Sequence, residues 1–330
     1  MNRTATTLLF SLLFALFALP ASAVEVSIQE WPVPWPQSRP RDPFVAPDGS
    51  IWFVGQGADY AARFEPANET FKRFDLPAGA GPHNLIVAAD GIVWYAGNRA
   101  AHIGRLDPAS GEIQQYPTPV PSLKDPHTLV FGPHGDIWFT AQGANHIGHF
   151  TLADGQVEAL AVPTPNARPY GISLDSTGRP WIVLFGTNKL ATIDPVTKSL
   201  REIALPRDKA RPRRIAITGD DRIWYGDYQE GYLGVYDPTN GTFKEWRNPG
   251  VDKSGPYAMT VDDRGRIWFV ETWQNPNRLV GFDPASEAFI GQTAIPSGAG
   301  AVRHMVFDPK TRSIWFGTDT NNLGRAVLVD

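Results

Sequence analysis

The apolar positions of this chain recur in short runs that are separated by turn residues. From about residue 24 onward, these runs alternate with Gly, Pro, Asp and Asn. No segment between the turns shows the 3.6-residue period of an amphipathic helix or is long enough to form one. The pattern therefore predicts an all-β protein that is built from short antiparallel strands.

The strands belong to a unit that is repeated seven times. Seven tryptophans mark it, with gaps of 42, 44, 43, 43, 44 and 47 residues: Trp52, Trp94, Trp138, Trp181, Trp224, Trp268 and Trp315. Each tryptophan strand follows a turn, which usually contains proline, and an inner strand. After it come a strand that often ends in Asp-Pro and an outer strand. Seven units of four strands predict a seven-bladed β-propeller.

A propeller must close into a ring, and the two ends of this chain are suited to closing it. The last unit stops at Asp330 without an outer strand, whereas the segment VSIQEWPVP at residues 26–34 resembles the outer strand EIQQYPTP at residues 112–119. Pairing of residues near 26–33 with residues near 324–329 would complete the last blade and remove two open sheet edges. We therefore expect an N-terminal strand to close the ring.

The first 23 residues read as a signal peptide. Arg3 precedes an apolar run from Leu8 to Leu19, and Pro20 and small residues follow it. The run is too short to span a bilayer. The sequence thus predicts a leader at residues 1–23, a single propeller domain at residues 24–330, a periplasmic or secreted location, and no membrane span after cleavage. We expect a monomer.

The composition and net charge of the chain exclude some kinds of catalysis, metal site and partner. The chain has no cysteine, which excludes thiol catalysis and Cys-ligated zinc. Its net charge is −4, with 30 Lys and Arg against 34 Asp and Glu and no basic block. A nucleic-acid partner is therefore not expected.

Two histidines lie seven residues apart in DPHTLVFGPHGDIWFT, residues 125–140. In a propeller blade, His127 would begin the inner strand and His134 would lie in the turn after it. About five extended residues separate them by roughly 17 Å. The two side chains therefore belong to opposite faces of the disk and cannot share a metal ion.

The face that contains His127 collects side chains from every blade around the mouth of the central channel. The predicted inner-strand starts are Phe44, His83, His127, Tyr170, Arg213, Tyr257 and Arg303, with Arg214 and His304 adjacent. The predicted ends of the tryptophan strands are Gln56, Asn98, Gln142, Asp227, Glu271 and Asp319. Imidazoles, phenols, guanidinium groups and carboxylates that converge on one mouth indicate a site for a small-molecule or cyclic peptide ligand. The alternative for each residue is a purely structural role in packing the rim.

The repeats resemble those of the streptogramin B lyase (virginiamycin B lyase) family. GPHNLIVAADGIVWYAGNRAAHIGRLDP at residues 81–108 and DPHTLVFGPHGDIWFTAQGANHIGHF at residues 125–150 carry the resemblance. It implies an elimination that opens a cyclic depsipeptide ester. In that reaction a histidine base removes a proton next to the ester carbonyl, Mg²⁺ stabilises the developing charge, the carboxylate leaves and no water adds.

The resemblance places candidate residues at particular positions of the ring. His304 would be the base, or His127 if the ring is used in another rotational register. Asp319 and Glu271 would bind Mg²⁺. The remaining candidates, for substrate binding, are His83, Tyr170, Arg213, Tyr257 and Arg303. The family's histidine position in the last blade is occupied by Arg303 in this sequence, and His304 comes one residue later.

Two other functions fit the same mouth. One is a non-catalytic binding propeller, in which tyrosines and arginines hold an anionic or peptide ligand. The other is a lactonase-type hydrolase, which seven units fit less well. Contact of Asp319 or Glu271 with a histidine would favour catalysis, whereas separate ion pairs with arginines would favour binding.

Overall fold

The computed structural model describes residues 24–119 and 121–329, so the predicted leader lies outside the described residues. Blade 1 contains β2 (Pro40–Val45), β3 (Ile51–Gly55), β4 (Tyr60–Glu65) and β5 (Thr70–Asp75), and blade 2 contains β6 (Pro82–Val87), β7 (Val93–Gly97), β8 (His102–Leu106) and β9 (Ile113–Pro117). Blade 3 contains β10 (Pro126–Gly132), β11 (Asp136–Ala141), β12 (His146–Thr151) and β13 (Val157–Ala161). Blade 4 contains β14 (Pro169–Leu174), β15 (Pro180–Leu184), β16 (Lys189–Ile193) and β17 (Leu200–Ala204).

Blade 5 contains β18 (Pro212–Ile217), β19 (Ile223–Asp227), β20 (Tyr232–Asp237) and β21 (Thr242–Arg247). Blade 6 contains β22 (Pro256–Val261), β23 (Ile267–Glu271), β24 (Arg278–Asp283) and β25 (Ala288–Ala294). Blade 7 combines β26 (Val302–Asp308), β27 (Ser313–Thr318) and β28 (Asn322–Val329) with β1 (Glu25–Pro32). A 3₁₀ turn at Val251–Lys253 is the one helical element of the described chain. The seven four-stranded antiparallel sheets confirm the predicted propeller.

The seventh blade joins the two ends of the described chain. Strand β1 pairs antiparallel with β28, from Glu25 opposite Val329 to Pro32 opposite Asn322. The sheet order is β1-β28-β27-β26, so the outer strand of this blade is the first strand in sequence.

A single asparagine side chain holds the turn that follows β1. Asn321 Nδ2 donates hydrogen bonds to the carbonyl oxygens of Val33 and Trp35, both at 3.0 Å. Asn321 Oδ1 accepts hydrogen bonds from the backbone N–H of Ser38 at 3.2 Å and from its hydroxyl at 2.8 Å. Asn321 has a φ of 66°, a left-handed conformation that asparagine tolerates better than most residues. One side chain thus joins segments that are almost 290 positions apart.

We expect Asn321→Gly to lower the free energy of unfolding by about 1–3 kcal/mol, because it removes all four hydrogen bonds and leaves the Val33 carbonyl oxygen without its side-chain donor. Glycine accepts the positive φ, so the loss reports the hydrogen bonds and not backbone strain. Urea denaturation of the two proteins measures it. Asn68→Gly, in an exposed turn, is the matched control. Equal effects of the two substitutions would contradict this role.

Apolar packing between neighbouring blades forms the core. The buried apolar side chains of the described residues fall into seven clusters, one at each blade interface. The seven repeat tryptophans are all buried and each contributes to one cluster. At the closing interface, Trp315 of blade 7 stacks on Trp31 of β1 with 5.6 Å between ring centroids and packs beside Phe64 of blade 1. The tryptophan period therefore reflects blade-on-blade packing.

Every inner strand has a register shift close to its start. In blade 2, for example, Pro82 is opposite Gly97 and Leu85 is opposite Tyr95, so His83 and Asn84 are left out of the regular pairing. The other six inner strands show a shift near the same place. Bulges of this kind redirect side chains. Here they turn two consecutive residues of each blade towards the channel.

Candidate functional site

The first of these two residues in each blade forms the mouth layer. Its members are Arg41, His83, His127, Tyr170, Arg213, Tyr257 and Arg303. Six of them were predicted from the sequence. In blade 1 the prediction of Phe44 was wrong, because Pro40 and not Pro43 opens the inner strand. Phe44 lies opposite Trp52 and thus corresponds to Ile86 of blade 2, further along the channel.

The second residue in each blade forms the axial layer, whose members are Asp42, Asn84, Thr128, Gly171, Arg214, Ala258 and His304. Its centre is an ionic network across the channel. Asp42 Oδ1 lies 3.1 Å from Arg41 Nε, and Asp42 Oδ2 lies 3.3 Å from Arg214 Nη2. Asn84 Nδ2 donates to the same Asp42 oxygen at 3.2 Å. Burial alone would raise the pKa of Asp42, but the two guanidinium charges outweigh it and hold the pKa well below its usual value.

Arg214 links four blades. Besides Asp42 of blade 1, its guanidinium donates to Thr128 Oγ1 of blade 3 at 3.1 Å and to the Arg303 carbonyl oxygen of blade 7 at 2.9 Å. The side chain itself comes from blade 5 and is only 3% exposed. The guanidinium thus occupies the channel just below the mouth layer and fastens blades that are not neighbours.

His83 and His127 are in close ring contact in the mouth layer, with an angle of 36° between the ring planes. Their ring centroids are 3.4 Å apart, and the His127 ring lies 4.2 Å from that of Tyr170. Burial and the nearby charges of Arg41 and Arg214 hold the pKa of both histidines well below the ordinary value. His127 Nδ1 is 2.8 Å from Thr128 Oγ1, which already accepts a hydrogen bond from Arg214. The Thr128 hydroxyl can therefore donate a hydrogen bond to His127 Nδ1, and the neutral imidazole ring then carries its own proton on Nε2.

Tyr170 and Tyr257 meet across the mouth beside Arg213. Their hydroxyl groups are hydrogen-bonded to each other. Burial raises the pKa of the Tyr257 hydroxyl, but Arg213 and other arginines of the channel outweigh burial and lower it, whereas burial raises the pKa of Tyr170. The Arg213 guanidinium lies 3.7 Å from the Tyr257 ring centroid. This side of the mouth combines aromatic surface with positive charge.

Arg303 lies beside Tyr257 in the mouth layer and is paired with Asp319. The Arg303 Nε is 3.1 Å from Asp319 Oδ1, and Arg303 Nη2 donates to Oδ2, so the carboxylate is held at both oxygens. Arg39 adds a third contact, with Nε 3.6 Å from Oδ1. Asp319 is therefore neutralised by arginines and has no hydrogen bond or ion pair with a histidine among the described residues.

Glu271 lies away from the mouth. It ends β23 opposite Pro256, whereas Asp319 follows the end of its strand by one residue. Because side chains alternate along a strand, this difference of one residue turns Glu271 to the other side. Its Oε1 accepts a hydrogen bond from the Gly250 N–H at 2.6 Å, and its Oε2 lies 2.8 Å from Arg278 Nη2. The structure therefore does not bring the two predicted metal ligands together.

These carboxylates do not fit a Mg²⁺ ion as they are arranged. Mg²⁺ needs oxygen ligands in nearly octahedral geometry, and the oxygens of Asp319 and Glu271 are held by guanidinium and amide donors. Within residues 24–119 and 121–329, no group of three or more His, Asp and Glu side chains could hold a metal ion.

His304 belongs to the axial layer and not to the mouth layer. It lines a cavity of about 310 Å³ in the channel, together with Asn84, Thr128 and mostly apolar residues of the inner strands. Its Nδ1 is buried and has no hydrogen-bond partner in the described chain. Burial and the charge of Arg214 lower its pKa to about 4. The shift of one residue relative to Arg303 thus separates His304 from Asp319.

A third set of residues surrounds the mouth and was only partly predicted. The residue four positions after each repeat tryptophan forms this rim layer, whose members are Gln56, Asn98, Gln142, Phe185, Tyr228, Thr272 and Asp319. Phe185, Tyr228 and Thr272 were missed, and Asp227 and Glu271 were assigned in place of Tyr228 and Thr272. The constant spacing from the tryptophan was the signal that could have identified them.

Comparison with known proteins matches this architecture to one family. A sequence model of the virginiamycin B lyase family matches residues 20–279. The chain belongs to this family. No curated protein sequence matches the chain.

Two solved structures within the family are close in fold. A streptogramin B lyase is 26% identical, with a TM-score of 0.83 over 92% of this chain and 98% of that one. A catalytically inactive virginiamycin B lyase variant from Staphylococcus aureus, solved with quinupristin, is 25% identical, with a TM-score of 0.84 over 92% of this chain and 100% of that one. The propeller of this chain is thus that of the virginiamycin B lyase family.

A more distant structure shares the fold alone. The extracellular domain of a two-component system from B. thetaiotaomicron is 16% identical, with a TM-score of 0.69 over 91% of this chain and 42% of that one. Among residues 24–119 and 121–329, no helix has the length and apolar character that crossing a membrane requires.

Proposed function

We propose that this member of the virginiamycin B lyase family is an exported propeller that binds an anionic small molecule or peptide at its mouth without metal-assisted elimination. The pairing of Asp319 with Arg303 is the observation that carries the proposal. A carboxylate that is held at both oxygens by a guanidinium, with Arg39 beside it, is a poor metal ligand. The predicted leader at residues 1–23 supports export.

The charge of the mouth supports an anionic ligand. The mouth layer contains three arginines and no carboxylate: Arg41, Arg213 and Arg303. The channel below is closed by Arg214 and Asp42, which are both buried. A ligand would therefore bind on the mouth and would not pass through the disk.

Elimination is the second candidate, and family membership favours it. His127 would be the base: its lowered pKa keeps the imidazole neutral at neutral pH, although the same shift weakens it as a base. Against elimination stand the hydrogen bond between His127 Nδ1 and Thr128 and the close contact of the His127 ring with His83.

Incubation with quinupristin and Mg²⁺ separates the two candidates. We expect the chain without its leader to leave quinupristin unchanged in chromatography and mass spectrometry. A ring-opened product of the same mass would establish elimination and overturn the binding proposal, and a gain of one water would indicate hydrolysis. Calorimetry with N-acetyl-trialanine and its C-terminal amide tests anion binding, and we expect the acid to bind more tightly than the amide.

A further inference from the structure

We propose that Arg213 and the aromatic side chains around it form a subsite for a carboxylate that is attached to a flat aromatic ring. This inference rests on the proposed function and specifies the class of ligand.

The Arg213 guanidinium lies inside a cage of four aromatic rings. Its distances to the ring centroids are 3.7 Å for Tyr257, 4.3 Å for Tyr228, 4.7 Å for Phe185 and 5.3 Å for Tyr170. The rings come from three consecutive blades, and two of them belong to the rim layer. Such contacts stabilise a guanidinium and fix its plane, but they leave its charge without a counterion.

Arg213 differs from the other arginines of the channel in lacking a carboxylate. Arg41 and Arg214 share Asp42, and Arg303 is paired with Asp319. Among the described residues, no carboxylate lies within ion-pair distance of Arg213, and its buried Nε has no hydrogen-bond partner. A largely buried and unpaired charge is costly, and a bound carboxylate could satisfy the guanidinium with two parallel hydrogen bonds.

Trp273 extends the cage with an exposed ring surface. It is 40% exposed, which is unusual for a large apolar side chain of this protein. Its indole N–H donates to the Tyr228 hydroxyl at 3.0 Å, and its ring lies against the backbone of Gly255, where a Cβ would come within 2.6 Å of the ring. The exposed indole is therefore held in place and is suited to stacking.

The positions of charge and ring surface define the ligand. Tyr228 contacts both Arg213 and Trp273, with 4.3 Å to the guanidinium and 5.1 Å between ring centroids. The guanidinium and the indole therefore lie within about 10 Å of each other. An aromatic ring that is one or two bonds from a carboxylate would stack beside Trp273 or Phe185 while its carboxylate reaches Arg213. An arylacetate or a C-terminal aromatic residue of a peptide has this form.

Calorimetry on the chain without its leader tests the inference with indole-3-acetate, indole-3-acetamide and N-acetyl-trialanine. We expect indole-3-acetate to bind at least tenfold more tightly than either of the others, because only it combines the charge with the ring. Arg213→Gln should weaken its binding at least tenfold. Arg247→Gln is the matched control, because that arginine also lies on a tyrosine ring but belongs to an outer strand.

Trp273 provides a second readout. In the same calorimetry, Trp273→Ala should weaken indole-3-acetate binding several-fold, whereas Trp273→Phe, which keeps an aromatic ring, should retain most of the affinity. Thermal denaturation of each variant verifies that it is folded.

The outcomes separate the ligand class from the proposed function. Equal affinity for indole-3-acetate and its amide, no binding of indole-3-acetate at millimolar concentration, or an unchanged affinity in folded Arg213→Gln would overturn the subsite. If N-acetyl-trialanine binds as tightly as indole-3-acetate, the ring requirement is wrong, but anion binding at the mouth stands. Opening of quinupristin would instead refute the proposed function.

Discussion

Replacement of Asp42 by asparagine is expected to lower the free energy of unfolding by about 3–5 kcal/mol. The carboxylate is fully buried and pairs with Arg41 and Arg214, which are themselves almost completely buried. Asparagine has the same shape and tolerates the positive φ of 50° at this position, so the substitution changes charge without changing backbone preference. Two buried guanidinium groups would remain without a counterion. Urea denaturation at neutral pH measures the loss.

The matched control is Asp75→Asn, which removes an exposed ion pair with Arg73. We expect a change of less than about 1 kcal/mol there, because exposed pairs contribute little. A double variant with Asp42→Asn and Arg214→Met should lose less unfolding free energy than the sum of the losses in the two single variants, because it removes one of the unpaired charges. Similar losses for Asp42→Asn and Asp75→Asn would contradict a network that fastens the ring.

Acidification from pH 7 to about pH 4.5 should destabilise the fold through the histidines of the channel. In the folded state, burial and neighbouring arginines lower the pKa of His83, His127 and His304, the last to about 4. The unfolded chain takes up these protons near pH 6.5, so stability is fully present above that pH and is lost as the pH falls. For His304 alone, the shift corresponds to about 3 kcal/mol by pH 4.

The charged groups that face these histidines all favour the neutral form, except one. Arg41, Arg213, Arg214 and Arg303 are the arginines that contribute, and Asp42 is the single carboxylate. The midpoint of urea unfolding, measured between pH 7.5 and pH 4.5, should therefore stay level down to about pH 6.5 and fall below it. His304→Gln should reduce the slope, and His134→Gln, in an exposed turn, should not. An unchanged midpoint at pH 4.5 in the unmodified chain would refute the argument.

The propeller was predictable because its determinants are local and repeated. Each tryptophan strand is positioned by the turns around it, so the period of the tryptophans gives the number of blades directly. Mouth residues were predictable where a single proline opens the inner strand, as at His83 and Tyr170. The prediction failed in blade 1, where prolines at 40 and 43 compete, and the correct one is the proline 12 residues before the tryptophan, as at Pro82.

The chemistry of the site was less predictable because it depends on single-residue register and on distant partners. Asp319 and Glu271 looked equivalent in the sequence, but they differ by one position along the strand and therefore face opposite sides. The pairing of Asp42 with Arg214 joins residues 172 positions apart. No local pattern encodes that pair, since it exists only after the ring brings blades 1 and 5 to the same axis.

The propeller has the architecture of the virginiamycin B lyase family, and most of the charges around its mouth are paired. The carboxylates of the mouth are paired with arginines, and Arg213 alone among the mouth arginines faces only aromatic rings. A change of ligand on this scaffold needs only substitutions at strand ends, because the blades are held by packing elsewhere.

The pairing of β1 with β28 also has a consequence for how the protein folds. Strand β1 has no partner until β28 is present, so the disk stays open until the two ends of the described chain meet. Until then, the edge of an incomplete sheet is available to other chains, and a factor that shields unfolded polypeptides would be most useful to this protein during that interval.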